Sequence, residues 1–358
     1  MAAKVLLLGG GDVGLRMADG LLRLGGVAEL TVADRPGSPA GAQVAMLACC
    51  HEAKVGFQEV DGCDALALEA LLLKARPDLI IQAASLISPW SIIGRDHPTA
   101  RALAAAGIAL QLPAQLPIVT NLMTVVRELG LSVPVANISM PDGIHPILAT
   151  RGLAPTIGLG NVSILQLRIQ AALKARGDER PLVRVVGHHH HVYGAMTAKA
   201  PADPELFARV YLGEDGARED ELAYAGQAFA PGPIYNVITA AAALPVLSAL
   251  LPGAPPRRLS APAPQGLPGG YPVSIDRGQV TLDLPENAKL QDAVAFNRRI
   301  GKLDGIEEIA ADGAVAFTEA ARDAVGDLDP GLAAPLDPWN LTARTNRLLD
   351  LIQAMGPR

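Results

Sequence analysis

The sequence predicts an α/β fold: an N-terminal doubly wound parallel sheet of Rossmann type, followed by an α+β substrate and oligomerisation lobe. Three observations predict it. An apolar strand runs into glycines spaced G-x-G-x-x-G, a helix-period segment follows, and an acid closes the next strand. Strands and helices then alternate to about Ser139, the pattern of parallel strands joined by helical crossovers. Beyond that point the texture changes to Pro, Gly and longer spacings.

The elements follow in order. KVLLL is the first strand, GGGDVG the turn, and LRMADGLLRLGG a helix stopped by Gly25 and Gly26. AELTVADR is a second strand carrying Asp34 near its end, so the three segments make one βαβ unit. LALEALLLKARP reads as helix, DLIIQAAS as strand, LPIVTNLMTVVRELG as helix and VPVANIS as strand. RPLVRVVGHHHHVYG reads as a strand, and the segment from Leu251 to Pro272 as a Pro-rich surface loop. The lobe boundary is expected near residue 142, giving a nucleotide-binding lobe over 1–142 and a second lobe over 143–358.

Composition removes several function classes. Half of the residues are apolar and 18% are charged, which excludes a disordered chain. A net charge of −6 leaves no basic surface for neutralising phosphates along a nucleic acid. Val237 to Leu251 contains Pro245 and is shorter than the ~20 residues of a membrane span, so it reads as a buried helix and no membrane partner is expected. The N-terminus reads as a first strand rather than a secretory signal. Cys49, Cys50 and Cys63 lack metal-type pairing, which suits a reducing cytoplasm, and they are expected as buried small hydrophobes.

In the turn, Gly9 allows the tight reversal, Gly11 lets backbone approach a pyrophosphate, and Gly14 permits close helix packing. The helix N-terminus offers free N–H groups to that anion. Asp12, Val13, Ala83, Ala84 and Asn137 are the further expected cofactor contacts. A carboxylate at Asp34 accepts hydrogen bonds from a ribose 2′-hydroxyl and repels a 2′-phosphate, which favours NAD; Arg35 beside it would do the opposite and keeps NADP open. Bound nicotinamide means hydride chemistry, so the expected class is an NAD(P)-dependent oxidoreductase acting on a small molecule.

The order of motifs resembles the lactate/malate dehydrogenase superfamily, which includes the NAD-dependent family-four glycosidases. GGGDVGLRMADGLL, DLIIQAAS, VPVANISMPDGIHPIL, TIGLGNVSIL and VVGHHHHVYG carry the resemblance at similar spacings. It implies that the acid/base histidine falls on His189, and, in the glycosidase branch, that a metal ligand falls on His190. The position of the orienting Asp holds Ile164 here, that of the carboxylate-binding Arg holds Leu167, and that of the glycosidase metal-binding Cys holds Gly160. The resemblance therefore implies a substrate other than lactate or malate. It also implies a homodimer or homotetramer. The saccharopine dehydrogenase-like group shares GGGDVG and VADR, which keeps a C–N substrate open.

On a strand, His188 and His190 would share one face and His189 and His191 the other, so at most two would line one site. Imidazole changes charge near neutral pH, which makes His189 and His190 the acid/base candidates, with Asp142 as a further one. No metal is assigned, although the run could also supply ligands. A polar strand end without chemistry is the plain alternative. NISMPDGIHP closes a strand at the carboxyl edge of the sheet, where open α/β sheets bind ligands, and Ser139, His145, Asn161 and Tyr193 are the expected substrate contacts. A dinucleotide-binding sensor that has lost catalysis is the alternative from another class, because Ile164 and Leu167 replace an acid/base partner and an anchor.

Overall fold

Strand β1 (Ala3–Leu8) buries Leu6, Leu7 and Leu8 on both faces, as a strand covered by helices on both sides must. The computed structural model describes residues 2–178 and 182–356. From β1 the chain continues through α1 (Asp12–Leu24), β2 (Val27–Asp34), α2 (Ala40–Cys50), β3 (Lys54–Glu59), α3 (Ala65–Ala75) and β4 (Leu79–Gln82). It then forms α4 (Pro98–Ala105), α5 (Leu112–Glu128), β5 (Val135–Asn137), α6 (Pro141–Ala149) and β6 (Ile157–Gly158). The six strands make one parallel sheet in the order β3-β2-β1-β4-β5-β6. The direction of winding reverses between β1 and β4, and the crevice at the carboxyl ends of those two strands is where such sheets take ligands.

The rest of the chain is α7 (Val162–Ala175), β7 (Val183–Val186), α8 (His189–Met196), β8 (Arg209–Leu212), β9 (Ala217–Arg218) and α9 (Tyr235–Leu250). There follow β10 (Arg257–Pro262), β11 (Gly270–Asp276), β12 (Gln279–Leu282), α10 (Leu290–Gly301), β13 (Ile306–Ile309), β14 (Val315–Phe317), α11 (Glu319–Gly326), α12 (Pro330–Ala333) and α13 (Thr342–Ala354). Two three-stranded antiparallel sheets, β7-β8-β9 and β10-β11-β12, meet where Gly187 and Gly270 bridge. One face of the large sheet packs with α3, α5 and the C-terminal helices around Leu116, Leu122 and Leu348. The other face packs with α1 and α9 around Met17, Ala243 and Leu247.

Four expectations need correction or extension. The parallel sheet runs on past residue 142 into β6, and α9 and α11 to α13 return to pack on the first lobe, so the chain interleaves its halves. The strand through the histidines stops at Val186 and the run starts α8 instead. Within the expected surface loop 251–272 lies the strand β10, with Ser260 and Ala261 fully buried; Ser260 Oγ accepts the Val185 N–H at 2.9 Å, and the Ser260 N–H reaches Gln166 Oε1 at 2.7 Å. Proline density there marked a strand whose ends, not its middle, carry the prolines. The three cysteines are exposed free thiols. Cys49 and Cys50 end α2, which covers a sheet edge and buries only Ala40 and Val44. At Cys63, burial and the neighbouring Asp61 push the thiol up, away from the reactive thiolate.

The segment Ile108–Glu128 is long and apolar enough to cross a membrane, and 78% of it is buried inside this fold. Val237 to Leu251 falls in α9, whose Ala240, Ala243 and Leu247 face the core.

A Cβ at Gly9 would lie 2.5 Å from the Ala83 carbonyl carbon and the Ala84 nitrogen, and Gly9 has φ +106°. Backbone atoms of β4 cannot yield as a side chain could. Gly9→Ala is therefore expected to lower stability by about 2 to 4 kcal/mol in urea unfolding, whereas Gly11→Ala, with nothing within 4 Å of its Cβ, stays within about 0.5 kcal/mol of the wild type.

Candidate active site

The turn after β1 is built around its glycines. Gly9 passes against β4, and a Cβ at Gly14 would stand 2.1 Å from the Gly9 carbonyl oxygen, so α1 lies directly on the turn. Gly11 caps α1 and leaves the space beside it open, which exposes the N–H groups of the first turn. Asp34 ends β2 and accepts the Gly10 N–H at 3.1 Å, the Ser38 hydroxyl at 3.0 Å and the Arg35 N–H at 2.8 Å. A carboxylate has about four acceptor sites, so one remains for a ligand hydroxyl. Arg35 is exposed beside it, and Val13 is half-buried against the core. Ala83 and Ala84 are half-buried at the end of β4, where Gln82 Oε1 takes the Ala84 N–H at 2.5 Å.

Asp12 joins this turn to the second half of the chain. It pairs with Arg16 at 2.8 Å and accepts the Asn236 side-chain amide at 2.8 Å. Asn236 in turn accepts the Trp90 indole N–H at 3.0 Å, and the Trp90 ring meets Tyr235 edge-on with centroids 6.1 Å apart. The loop after β4 is thereby tied to the start of α9.

Asn137, Ser139 and His145 form a buried network below the carboxyl edge. The Asn137 amide bridges the Ser139 main chain and reaches His145 Nε2 at 3.1 Å, while Ser139 Oγ donates to Gln115 at 2.6 Å. His145 Nδ1 faces the Ala263 carbonyl at 3.0 Å and must be the protonated nitrogen, so Nε2 is an acceptor. Burial draws the His145 pKa down to about 4. Asn137 and His145 are fully buried and Ser139 is nearly so, and as they stand their side chains bond to one another and to neighbouring main chain and Gln115.

Above that edge the histidine run turns into α8. His191 Nδ1 accepts the His188 N–H at 2.9 Å and closes the first helical turn, and its Nε2 donates to the Leu206 carbonyl at 3.0 Å. With burial as the main cause, His191 falls to about 3 and stays neutral. The other three imidazoles converge on one carboxylate. Asp304 Oδ2 lies 2.9 Å from His188 Nδ1 and 3.2 Å from His189 Nδ1, and Oδ1 lies 3.7 Å from His190 Nδ1. His188 is buried, while His189 and His190 each keep over a third of the side chain exposed. A helix start therefore brings three of the four histidines to one point, where a strand would have split them two and two.

Charge follows from this geometry. Burial raises a carboxyl, yet His189, His188 and His190 hold Asp304 well below the ordinary range. Burial also disfavours a charged imidazole, and at His189 the carboxylates of Asp304 and Asp142 outweigh it, so the His189 pKa is raised. Asp142 lies one shell further in. Its Oδ2 accepts the His189 N–H at 2.7 Å, its Oδ1 is buried without a hydrogen-bond partner among the described residues, and burial pushes its carboxyl up against opposition from His188, Asn161 and His189. Asn161 reaches Asp142 from the start of α7 with φ +41° and ψ −109°, a backbone conformation that only a tightly determined corner retains.

Sequence reasoning missed Asp304. It ends the short turn Lys302–Asp304 after α10, and in KLDGIEE it reads as an ordinary Asp-Gly turn. Its placement depends on Gly107, where a Cβ would stand 2.3 Å from the Asp304 carbonyl oxygen. Trp90 and Asn236 were likewise invisible as a pair, being 146 residues apart. Tyr193 is 61% exposed on α8 and touches none of this cluster in the hydrogen bonds described. Ile164 packs with Met196 and Ala242, with Leu167 and Tyr235 at the margin. Among the described residues, no group of three or more His, Cys, Asp or Glu is arranged to hold a metal ion.

No protein-family model matches the chain. Among curated proteins, the formate-dependent phosphoribosylglycinamide formyltransferase of Herminiimonas arsenicoxydans is 29% identical over 163 residues, 42% of this chain and 37% of that protein. The protein of that name from Stenotrophomonas maltophilia (strain K279a) is 30% identical over 163 residues, 42% of this chain and 38% of that protein. The chain spans well under half the length of these relatives. Among solved structures, a lactate dehydrogenase from a Medee basin deep-sea metagenome library superposes with a TM-score of 0.53 at 13% identity, covering 84% of this chain and 96% of that one. Malate dehydrogenase from Archaeoglobus fulgidus in complex with NADH gives 0.52 at 14%, covering 83% and 96%. A putative glucosidase from Bacillus subtilis gives 0.53 at 14%, covering 98% and 99%. The fold is thus the one these dehydrogenases and this glucosidase share.

His145 makes the site sensitive to acid. Its folded pKa of about 4 lies below the ordinary 6.5, so the unfolded chain binds the proton first as pH falls. The neutral form's stability is complete above pH 6.5, and roughly 3 kcal/mol of it is lost by pH 4. Urea midpoints measured across that window should fall with acid, and the slope, rather than the midpoint itself, should flatten in His145→Gln.

Proposed function

We propose that this chain is a nicotinamide-dependent oxidoreductase that interconverts a CH–OH group and its carbonyl, with His189 as the acid/base group. One observation carries the reading: an open glycine turn lies at the switch point of the sheet, and an imidazole whose Nδ1 is held by a buried carboxylate is anchored through its main chain to Asp142, in the first turn of α6 after β5 of the same sheet. The fold shared with dehydrogenases, one of them described in complex with NADH, supports it.

The donor set suits a dinucleotide. Gly11 and the first N–H groups of α1 would take the pyrophosphate, and Asp34 has acceptor capacity for a ribose hydroxyl, which favours NAD over NADP. Bound nicotinamide supplies or accepts the hydride. Asp304 fixes His189 with Nδ1 inward, and among the described residues Nε2 has no partner, so Nε2 is the atom that passes a proton to or from the substrate oxygen. Asp142 anchors the His189 main chain, which sets where the ring stands. The positions where the resemblance places an orienting Asp and a carboxylate-binding Arg hold Ile164 and Leu167 within an apolar cluster, so the substrate is one without a carboxylate beside the reacting carbon. The histidine–carboxylate pair of His189 and Asp304 favours catalysis over a sensor that has lost it. Assembly as a homodimer or homotetramer and a cytoplasmic location belong to the same reading, the latter supported by three unpaired thiols.

Calorimetric titration should show NAD binding more tightly than NADP; binding of neither at millimolar concentration would overturn the cofactor assignment. In a spectrophotometric screen of alcohols, sugars and hydroxy acids, His189→Ala should lower turnover about a hundredfold or more while NAD affinity stays unchanged and a chelator has no effect.

Because Asp304 raises the His189 pKa, alcohol oxidation, which needs the neutral ring, should rise with pH through an apparent pKa above 6.5, and carbonyl reduction should fall through it. Asp304→Asn should move that pKa down in pH–rate profiles; an unmoved profile would assign the proton transfer to another group.

A further inference from the structure

Seven methionines and three cysteines carry all the sulfur of the chain. Among the described residues, Met17, Met123, Met140, Met196 and Met355 are buried, as an apolar thioether ordinarily is. Met46 is 71% exposed. It lies on α2 three and four residues before Cys49 and Cys50, both exposed free thiols. Residues at i, i+3 and i+4 share one helix face, and side chains on a helix lean toward its N-terminus, so the two thiols overhang the turn from which the thioether projects. Three sulfurs thus stand together on the outward face of a helix that buries only Ala40 and Val44.

The surroundings suit a soft cation. α2 carries no charged residue, and its last turn has no Lys or Arg to answer the carbonyls left open at a helix C-terminus. Cys49 Sγ donates to the Ala45 carbonyl at 3.3 Å, a weak bond that a metal–thiolate bond can replace. His51 is turned to Asp19 of α1, with its Nε2 2.8 Å from the carboxylate, so that imidazole is engaged elsewhere. Arg23 of α1, paired with Asp19 at 2.9 Å, also lies in the electrostatic field of Cys50. Having only two cysteines, the cluster becomes a three-donor set through its methionine. Zinc in protein sites takes four ligands, whereas two thiolates and a thioether are a donor set that favours monovalent copper.

We propose that Met46, Cys49 and Cys50 form a surface site for a single monovalent copper ion, bound by two thiolates and one thioether. On binding, each thiol releases its proton to solvent and forms one Cu–S bond, the thioether adds a lone pair, and the copper stays monovalent, so no oxidant or reductant enters. Two thiolates on a monovalent ion leave one net negative charge, which Arg23 is placed to balance. α2 runs back from the carboxyl edge of the sheet, so its end lies at the amino edge, where β3 begins at Lys54 opposite Glu29. The site therefore stands at the opposite edge from the glycine turn and does not rest on the oxidoreductase reading.

Anaerobic titration of the reduced full chain with Cu(I), in competition with bicinchoninate, tests the site. One ion per chain is expected, with copper–thiolate absorption in the ultraviolet. Cys49→Ser and Cys50→Ser should each weaken binding at least about a hundredfold and Met46→Leu about tenfold, while Cys63→Ser leaves it unchanged and zinc does not displace the ion. Because the three side chains face solvent, these variants should unfold at the wild-type temperature. A thiol-modifying reagent should label Cys49 and Cys50 in the metal-free native chain, and bound Cu(I) should protect both. Undiminished affinity in Met46→Leu overturns the site, as does Cu(I) uptake that survives replacement of both cysteines by serine. So does failure of the reagent to reach Cys49 and Cys50 in the native chain, an outcome that needs no variant to fold.

Discussion

A carboxylate taken out of water must be met by hydrogen bonds and opposite charge, and Asp304 is met by three imidazoles. That constraint organises the second half of the chain. It requires β7 to stop at Val186, so that the next residues can wind into α8 and turn their rings inward. It requires the turn after α10 to sit against Gly107, where a Cβ would stand 2.3 Å from the Asp304 carbonyl oxygen. His191 contributes differently: neutral and stacked on Phe296 with ring centroids 5.8 Å apart, it closes the helix start that the other three depend on. The carboxyl edge of the parallel sheet supplies the remaining support through Asp142.

The two halves of the site are linked mechanically. Asp12 at the glycine turn, Asn236 at the start of α9 and Trp90 in the loop after β4 form one hydrogen-bonded line across the crevice. Because α9 packs along α1, a shift of the loop would be felt at both the glycine turn and the apolar cluster of Ile164 and Tyr235.

Much of the first lobe was legible in the residues themselves. The strand, glycine turn, helix and closing acid are local patterns, each decided within about thirty residues by backbone sterics and apolar spacing. Gly9 and Gly14 take the packing roles their spacing implies, because a missing Cβ is a property of the residue and needs no partner to be read. The alternation of strands with helices likewise predicted a parallel sheet, since only crossovers of that length join parallel neighbours.

What lay outside the sequence's reach depended on partners far along the chain. Four adjacent histidines are compatible with a strand or a helix start, and the choice was made by Asp304, 115 residues from His189, together with the bridge between Gly187 and Gly270. Proline density over 251–272 suggested a loop, while the buried bonds of Ser260 to Val185 and Gln166 made a strand of it. The cysteines looked like core because their side chains are small and apolar; their exposure was decided by α2 lying at the sheet's edge. By itself the sequence determined the glycine turn and the sheet's parallel sense, which are local properties of glycine and of apolar period. Only the tertiary structure decided which carboxylate holds His189, because that depends on which distant segments exclude water together.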